Sequence, residues 1–177
     1  MQCQEDGNCA CNPGFTGPKC SSSTSGPSTK LLVITGSGPD STKSEIIDLA
    51  DPNAKCKPWA DYPLAVNSSV GQMIGDKVVI CGGYGSKGPV DKCYKVGPES
   101  VEAMPNLSTP KYYSSGGVLN ESLVVTGGFE GKKQLDKTEY ISGREQQNGV
   151  NIPMKSRNHC VIQVNEDELL HTGGYNG

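Results

Sequence analysis

The chain is poor in several things at once. It has 177 residues, of which only 6% are aromatic, with one Trp and two Phe. Its longest aliphatic run, Leu31 to Ile34, falls far short of the roughly 20 apolar residues a membrane helix needs, so no segment reads as a bilayer span. Charge of one sign is scarce as well. Sixteen basic against 19 acidic residues leave a net of −3 with no Lys/Arg-rich run, which speaks against nucleic acid as a partner. The start, Met1-Gln2-Cys3, lacks the charged head and apolar core of a secretory signal, so a signal for export would lie outside this sequence. Histidine occurs only at His159 and His171, and no Ser or Cys stands in a nucleophile motif. What is plentiful is glycine and proline, 23 and 12 residues, one position in five. That excludes coiled coils and long helical bundles. With 34% hydrophobic and 20% charged residues, it points to a folded, loop-rich β protein of short elements rather than to disorder.

Eight cysteines stand at positions 3, 9, 11, 20, 56, 81, 93 and 160, half of them within the first 20 residues. The run Cys9-Ala-Cys11-Asn-Pro-Gly14-Phe15-Thr-Gly17-Pro-Lys-Cys20 has a C-x-C-x8-C spacing around a Gly-Phe-Thr-Gly turn. Zinc is the competing reading of clustered cysteines, but this is not the paired C-x2–4-C spacing of structural zinc sites. A segment so small cannot bury enough apolar surface, and disulfides take the place of a core. Residues 3–20 resemble the C-terminal half of an EGF-like module. The resemblance implies that Cys11 pairs with Cys20. It matches Cys3 and Cys9 to module positions whose partners have no counterpart here, with Cys3–Cys9 as the fallback pairing. The module begins partway through, as in a fragment. Persistent disulfides imply a location outside the cytosol. Residues 21–29, Ser-Ser-Ser-Thr-Ser-Gly-Pro-Ser-Thr, read as a flexible linker.

Self-similarity organises the rest. Leu31-Leu-Val-Ile-Thr-Gly36-Ser, Val78-Val-Ile-Cys-Gly82-Gly83, Leu123-Val-Val-Thr-Gly127-Gly128 and Leu169-Leu-His-Thr-Gly173-Gly174 align, their first glycines 46, 45 and 46 residues apart. Strand-like stretches follow at 44–49, 92–96 and 137–141 and precede at 69–74, 115–119 and 160–164. A short further strand is expected to hold Trp59, Met104 or Ile152. Four short strands with Gly-Gly at the end of the second, an aromatic in the third (Tyr94, Tyr140) and Trp in the fourth (Trp59) resemble the kelch repeat of β-propellers over residues 30–177. The glycines, Gly36, Gly82, Gly83, Gly127, Gly128, Gly173 and Gly174, then permit positive φ and close backbone approach. Hairpin turns of a β-sandwich are the alternative, which the equal period disfavours. The implied fold is all-β, an incomplete kelch-type propeller of about three blades after the EGF-like fragment, cut at both ends. The first copy departs from the pattern with Gly36-Ser37-Gly38, and no later copy keeps the Trp. Under the repeat alignment Cys81 and Cys93 take neighbouring places on adjacent antiparallel strands, equivalent to Thr126 and Thr138, and are expected to form a bridge.

Function classes follow from these resemblances and from the loops. Copper radical oxidases also use kelch-type propellers, with two His, two Tyr and a Tyr–Cys cross-link. His159, His171, Tyr112 and Tyr113 are the available residues, without a matching motif, and otherwise the histidines read as ordinary strand residues. No catalytic residue, metal or cofactor is assigned. The loops between second and third strands and between successive repeats share one propeller face. That face counts nine basic residues, among them Lys87, Lys111, Lys132, Lys133, Lys155 and Arg157, against six acidic, and the opposite face four against nine. An acidic partner, peptide or sulfated glycan, is the expectation for the basic face. Sequons at Asn67, Asn106 and Asn120 fall in predicted loops and favour a glycosylated product. EGF-like and kelch segments in succession resemble attractin-like and secreted invertebrate kelch proteins. This implies a non-enzymatic extracellular recognition or adhesion protein, secreted or the ectodomain of a membrane protein, that binds a protein or an acidic glycan. A secreted oxidase and an intracellular kelch adaptor are the alternatives.

Overall fold

The computed structural model describes residues 29–38 and 41–176, together with the backbone of four short strands nearer the N-terminus. It divides into two compact units, Met1–Leu31 with Ile47–Lys55 and Leu32–Ile46 with Cys56–Gly177. In the first, β1 (Gln2–Cys3) pairs antiparallel with β2 (Cys9–Ala10), and β3 (Phe15–Thr16) with β4 (Ser22–Ser23). The expected Cys11–Cys20 bridge and the side chains of Cys3 and Cys9 lie outside the described residues.

From Lys30 onward the chain is all-β, with no helix among the described residues. Its strands fall into successive sheets of three, four, four and two. The first comprises β5 (Lys30–Ile34), β6 (Ser44–Asp48) and β7 (Lys57–Pro58). The second holds β8 (Val70–Ile74) and β9 (Lys77–Cys81), then, beyond a small hairpin of β10 (Tyr84–Gly85) and β11 (Gly88–Pro89), β12 (Cys93–Val96) and β13 (Val101–Met104). The third consists of β14 (Ser115–Leu119), β15 (Ser122–Thr126), β16 (Thr138–Ile141) and β17 (Gln146–Asn148). The last is the pair β18 (Cys160–Gln163) and β19 (Leu169–Thr172). Both four-stranded sheets run in chain order from one edge to the other, with antiparallel neighbours.

The apolar runs are short and nearly continuous because the inner strands are covered on both faces. Alternate residues of β9 go to opposite sides. Val78 and Ile80 join Tyr62, Val66 and Val96, with Leu32, Ile34, Trp59 and Tyr94 at the margin of that cluster. Val79 and Cys81 join Val70, Cys93, Leu107, Leu123, Val125 and Ile141. Each cluster therefore draws on two successive sheets and the loop between them. Cys81 and Cys93 stand directly opposite in register and form a disulfide with Cα atoms 4.1 Å apart, both under 2% exposed.

Glycine is required at the end of β9 and β15. Gly82 and Gly127 have φ of 67° and 58°. A Cβ would stand 2.6 Å from the Lys111 carbonyl oxygen at Gly82 and 2.4 Å from that of Ser156 at Gly127. Those carbonyls are held close because they accept the N–H of the next glycine, Gly83 and Gly128, each at 2.8 Å.

Three expectations need correction. Trp59 lies just after β7 rather than within it, its backbone N–H donating to the Ser44 carbonyl at 2.9 Å. Ile152 lies beyond β17, which ends at Asn148. In the first copy the positive φ falls on Thr35 and Gly38 and not on Gly36. Tyr94 and Tyr140 both lie in the third strand of their sheets as expected, but in different registers, Tyr94 opposite Ile80 and Tyr140 opposite Val124. Counted from the glycines, Tyr140 is one residue out of step, which turns it to the other face of its sheet.

Candidate binding face

The residue that follows each glycine pair is aromatic: Tyr84, Phe129 and Tyr175. Each is tied by an isolated antiparallel bridge to a residue of the neighbouring inter-repeat loop, Tyr84 to Asn67, Phe129 to Tyr112 and Tyr175 to Arg157. Both N–H···O=C bonds form in every bridge, at 2.8–3.2 Å. The next loop residue, Ser68, Tyr113 or Asn158, has φ of 54–57°. The Tyr113 N–H donates to the Ser68 carbonyl at 3.1 Å, and the Asn158 N–H to the Tyr113 carbonyl at 3.0 Å. The same short backbone device is thus repeated three times and stitched from repeat to repeat.

Its side chains form a continuous row. Tyr112 lies 4.9 Å from Tyr84, 4.6 Å from Tyr113 and 5.6 Å from Phe129 between ring centroids, edge-on to Tyr84 and Phe129. The Arg157 guanidinium carbon sits 4.6 Å from the Phe129 centroid and 5.1 Å from that of Tyr175. Edge-to-face rings and a cation against an aromatic face each satisfy the ring quadrupole, so the row is fixed by its own members. Tyr84, Tyr113 and Tyr175 remain exposed at 43%, 37% and 53%. Beside the first sheet a cleft of about 710 Å³ is lined by Thr35, Ser37, Ser41, Lys43, Glu45 and Asp61, among others. The Asn67 amide reaches Ser37 Oγ at 3.1 Å and links that cleft to the row.

The basic residues expected on this face divide. Lys87, Lys132, Lys133 and Lys155 are exposed, with Lys133 3.6 Å from Glu130. Arg157 is half-buried in the aromatic row. Lys111 does not belong to the surface count. Its side chain is fully buried, with Nζ 2.7 Å from Oε1 of the equally buried Glu139. Burial holds the Lys111 ammonium below its ordinary range. For Glu139, burial acts upward but is outweighed by Lys111 and by the Ser108 N–H, leaving the carboxyl below the usual carboxylate range. Glu139 Oε2 also accepts from the Ser108 N–H at 2.6 Å and from Gln146 Nε2 at 2.9 Å. Asn67, Asn106 and Asn120 are exposed, Asn120 in the tight β14–β15 turn, where it and Glu121 both have positive φ.

His159 and His171 lie together, ring centroids 4.2 Å apart. His159 Nε2 is 2.9 Å from Thr126 Oγ1, and burial, then His171, pushes its pKa down to about 4. Among the described residues no group of three or more His, Cys, Asp or Glu is placed to hold a metal ion. Cys56 and Cys160 are free and exposed. No helix there is long and apolar enough to cross a membrane.

Sequence reasoning missed Tyr84, Phe129 and Tyr175, although Gly-Gly-Tyr, Gly-Gly-Phe and Gly-Gly-Tyr recur at 45 and 46 residues. It considered Tyr112 and Tyr113 only as copper ligands. The buried Lys111–Glu139 pair had no sequence signal.

No family model and no curated protein matches the chain. Among solved structures it is similar to one titled "Structure of YjhT", with a TM-score of 0.65 at 14% identity over 76% of this chain and 52% of that one. At that identity the likeness concerns the fold alone, and the chain spans about half the length of the structure it matches. The chain is all-β, and its successive antiparallel sheets together with this likeness are consistent with a propeller-like architecture.

Proposed function

We propose that the chain is a recognition protein whose loop face, at the glycine-pair ends of the strands, binds a protein or glycan. The carrying observation is that three successive repeats each deliver an aromatic or Arg side chain to one continuous, exposed and internally braced row. Fixed aromatic surface of this kind is what interfaces concentrate their binding energy in. We read the repeats as kelch repeats of a β-propeller, because an antiparallel meander, four-stranded in its two complete copies, recurs every 45–46 residues, with a glycine pair after the same strand in the last three copies. We read residues 3–20 as an EGF-like segment. The buried disulfide and the three exposed sequons support an extracellular, glycosylated product, and we read it as a non-enzymatic one.

Tyr112 touches three other members of the row, which makes Tyr112→Ala the informative variant. On an array of extracellular proteins and of neutral and acidic glycans, the native chain is expected to give discrete binding, and Tyr112→Ala to weaken it at least tenfold while the melting temperature stays within a few degrees. Equal binding by the two proteins would remove the loop face from the proposal. Expression through a secretory pathway is expected to give a mass shift reversed by an N-glycosidase.

A further inference from the structure

We infer that Arg157 is the anion-reading residue of this face and that the ligand is an acidic sugar, a pyranose bearing carboxylate or sulfate. The inference rests on the loop face being the binding surface and goes further by naming the ligand class. The geometry of Arg157 carries it. Phe129 and Tyr175 flank its guanidinium at 4.6 and 5.1 Å, and Nε is buried without a hydrogen-bond partner among the described residues. The Nη groups are not buried orphans, and no carboxylate of the described residues forms an ion pair with Arg157. The guanidinium carbon therefore lies over both rings, the residue is half-buried, and its terminal nitrogens are not among the buried atoms that lack a partner. This arrangement favours an oxyanion that can take two parallel N–H bonds.

The rest of the row selects a sugar over an acidic peptide. The backbone N–H and C=O groups of Asn67, Tyr84, Tyr112, Phe129, Arg157 and Tyr175 already satisfy one another in the three bridges. An extended peptide thus finds no free strand edge to add to here, and recognition must run through side chains. What those offer beside the cation is exposed, immobilised tyrosine surface at Tyr84, Tyr113 and Tyr175, which suits the C–H face of a pyranose ring. Lys132, Lys133 and Lys155, close in sequence to Phe129 and Arg157, add long-range attraction for an anionic chain.

The test measures binding of the full 177-residue chain to heparin, polygalacturonate, neutral dextran and poly-glutamate by biolayer interferometry. Arg157→Met keeps an apolar stem between the rings and removes the donors, and Arg157→Lys keeps the charge without the fork. The expected result is binding to heparin, polygalacturonate or both, at least tenfold weaker in Arg157→Met and not restored in Arg157→Lys, with both variants melting near the native chain. Heparin alone would identify sulfate as the source of the oxyanion, polygalacturonate alone carboxylate. Native-like binding by Arg157→Met while Tyr112→Ala loses it would overturn the inference and leave the loop face standing. So would dextran bound as tightly as the acidic polymers, or Arg157-dependent binding to poly-glutamate in their place. A native chain that binds none of the four polymers also overturns it, and the protein and glycan array then decides separately whether the loop face falls too.

Discussion

Two boundaries between successive sheets occupy equivalent places in the repeat and are filled by opposite chemistry. Between the first and second sheets, Tyr62, Val66 and Tyr94 pack together, Tyr94 edge-on to Tyr62 at 5.6 Å. Forty-five residues on, between the second and third sheets, Leu107, Lys111 and Glu139 take those places, and the contact is an ion pair at 2.7 Å with both side chains fully buried. The backbone around the two sites is the same down to single hydrogen bonds. The Tyr62 N–H donates to the Thr42 carbonyl as the Leu107 N–H does to that of Asp91, both at 2.8 Å. The repeat therefore specifies a backbone frame and leaves the filling open. An ionic filling tolerates no partial loss, because removing one partner strands the other charge without water. An aromatic filling degrades gradually.

The largest effect that would break this contrast is at the ion pair. Glu139→Gln or Lys111→Met alone is expected to cost about 3–5 kcal/mol in urea unfolding, whereas Lys111→Met with Glu139→Leu is expected to return most of it. Independent, additive losses would show that the pair is not the unit that matters. Next comes the disulfide behind it. Cys81→Ala with Cys93→Ala is expected to cost about 3 kcal/mol, the chain-entropy value for so short a loop, seen as the same loss on adding reductant to the native chain. The third boundary, around Thr126, His159 and His171, responds to pH. The folded pKa of His159 is about 4, below the ordinary 6.5, so the unfolded chain binds the proton more tightly. Its contribution is complete above pH 6.5 and declines as pH falls toward 4, by about 2 kcal/mol after allowance for solvent screening. Thermal melts across that range should show the decline, and His159→Gln should flatten it. The smallest effect sharpens the aromatic side. Tyr62 is buried with its hydroxyl lacking a partner among the described residues, and burial pushes its pKa up. Tyr62→Phe is expected to stabilise the chain by about 1 kcal/mol in the same unfolding assay, and a loss instead would mean that the hydroxyl is satisfied in solution.

Much of the frame is legible in the sequence. The strand expected over 115–119 is present as Ser115–Leu119, and that over 69–74 as Val70–Ile74, because each pairs across a tight turn with the apolar run that ends in a glycine pair. Less of the candidate face is legible. Lys87, Lys132, Lys133 and Lys155 are where loop position puts them, but Lys111 looks no different from these as a loop lysine, and only a carboxylate 28 residues further on draws it inside. Tyr140 shows the same limit, since a single residue of offset within a strand reverses the side it faces.

By itself the sequence determined what is local and periodic: short strands, glycine where a Cβ would strike a carbonyl, and a spacing that lays successive sheets beside one another. Tertiary structure alone decided which side chains meet across that spacing. It set Arg157 between Phe129 and Tyr175 and gathered the tyrosines into one row. It also buried Lys111 against Glu139. Backbone conformation answers to neighbours along the chain, whereas burial and pairing answer to neighbours in space, which a repeat brings together only when its copies pack.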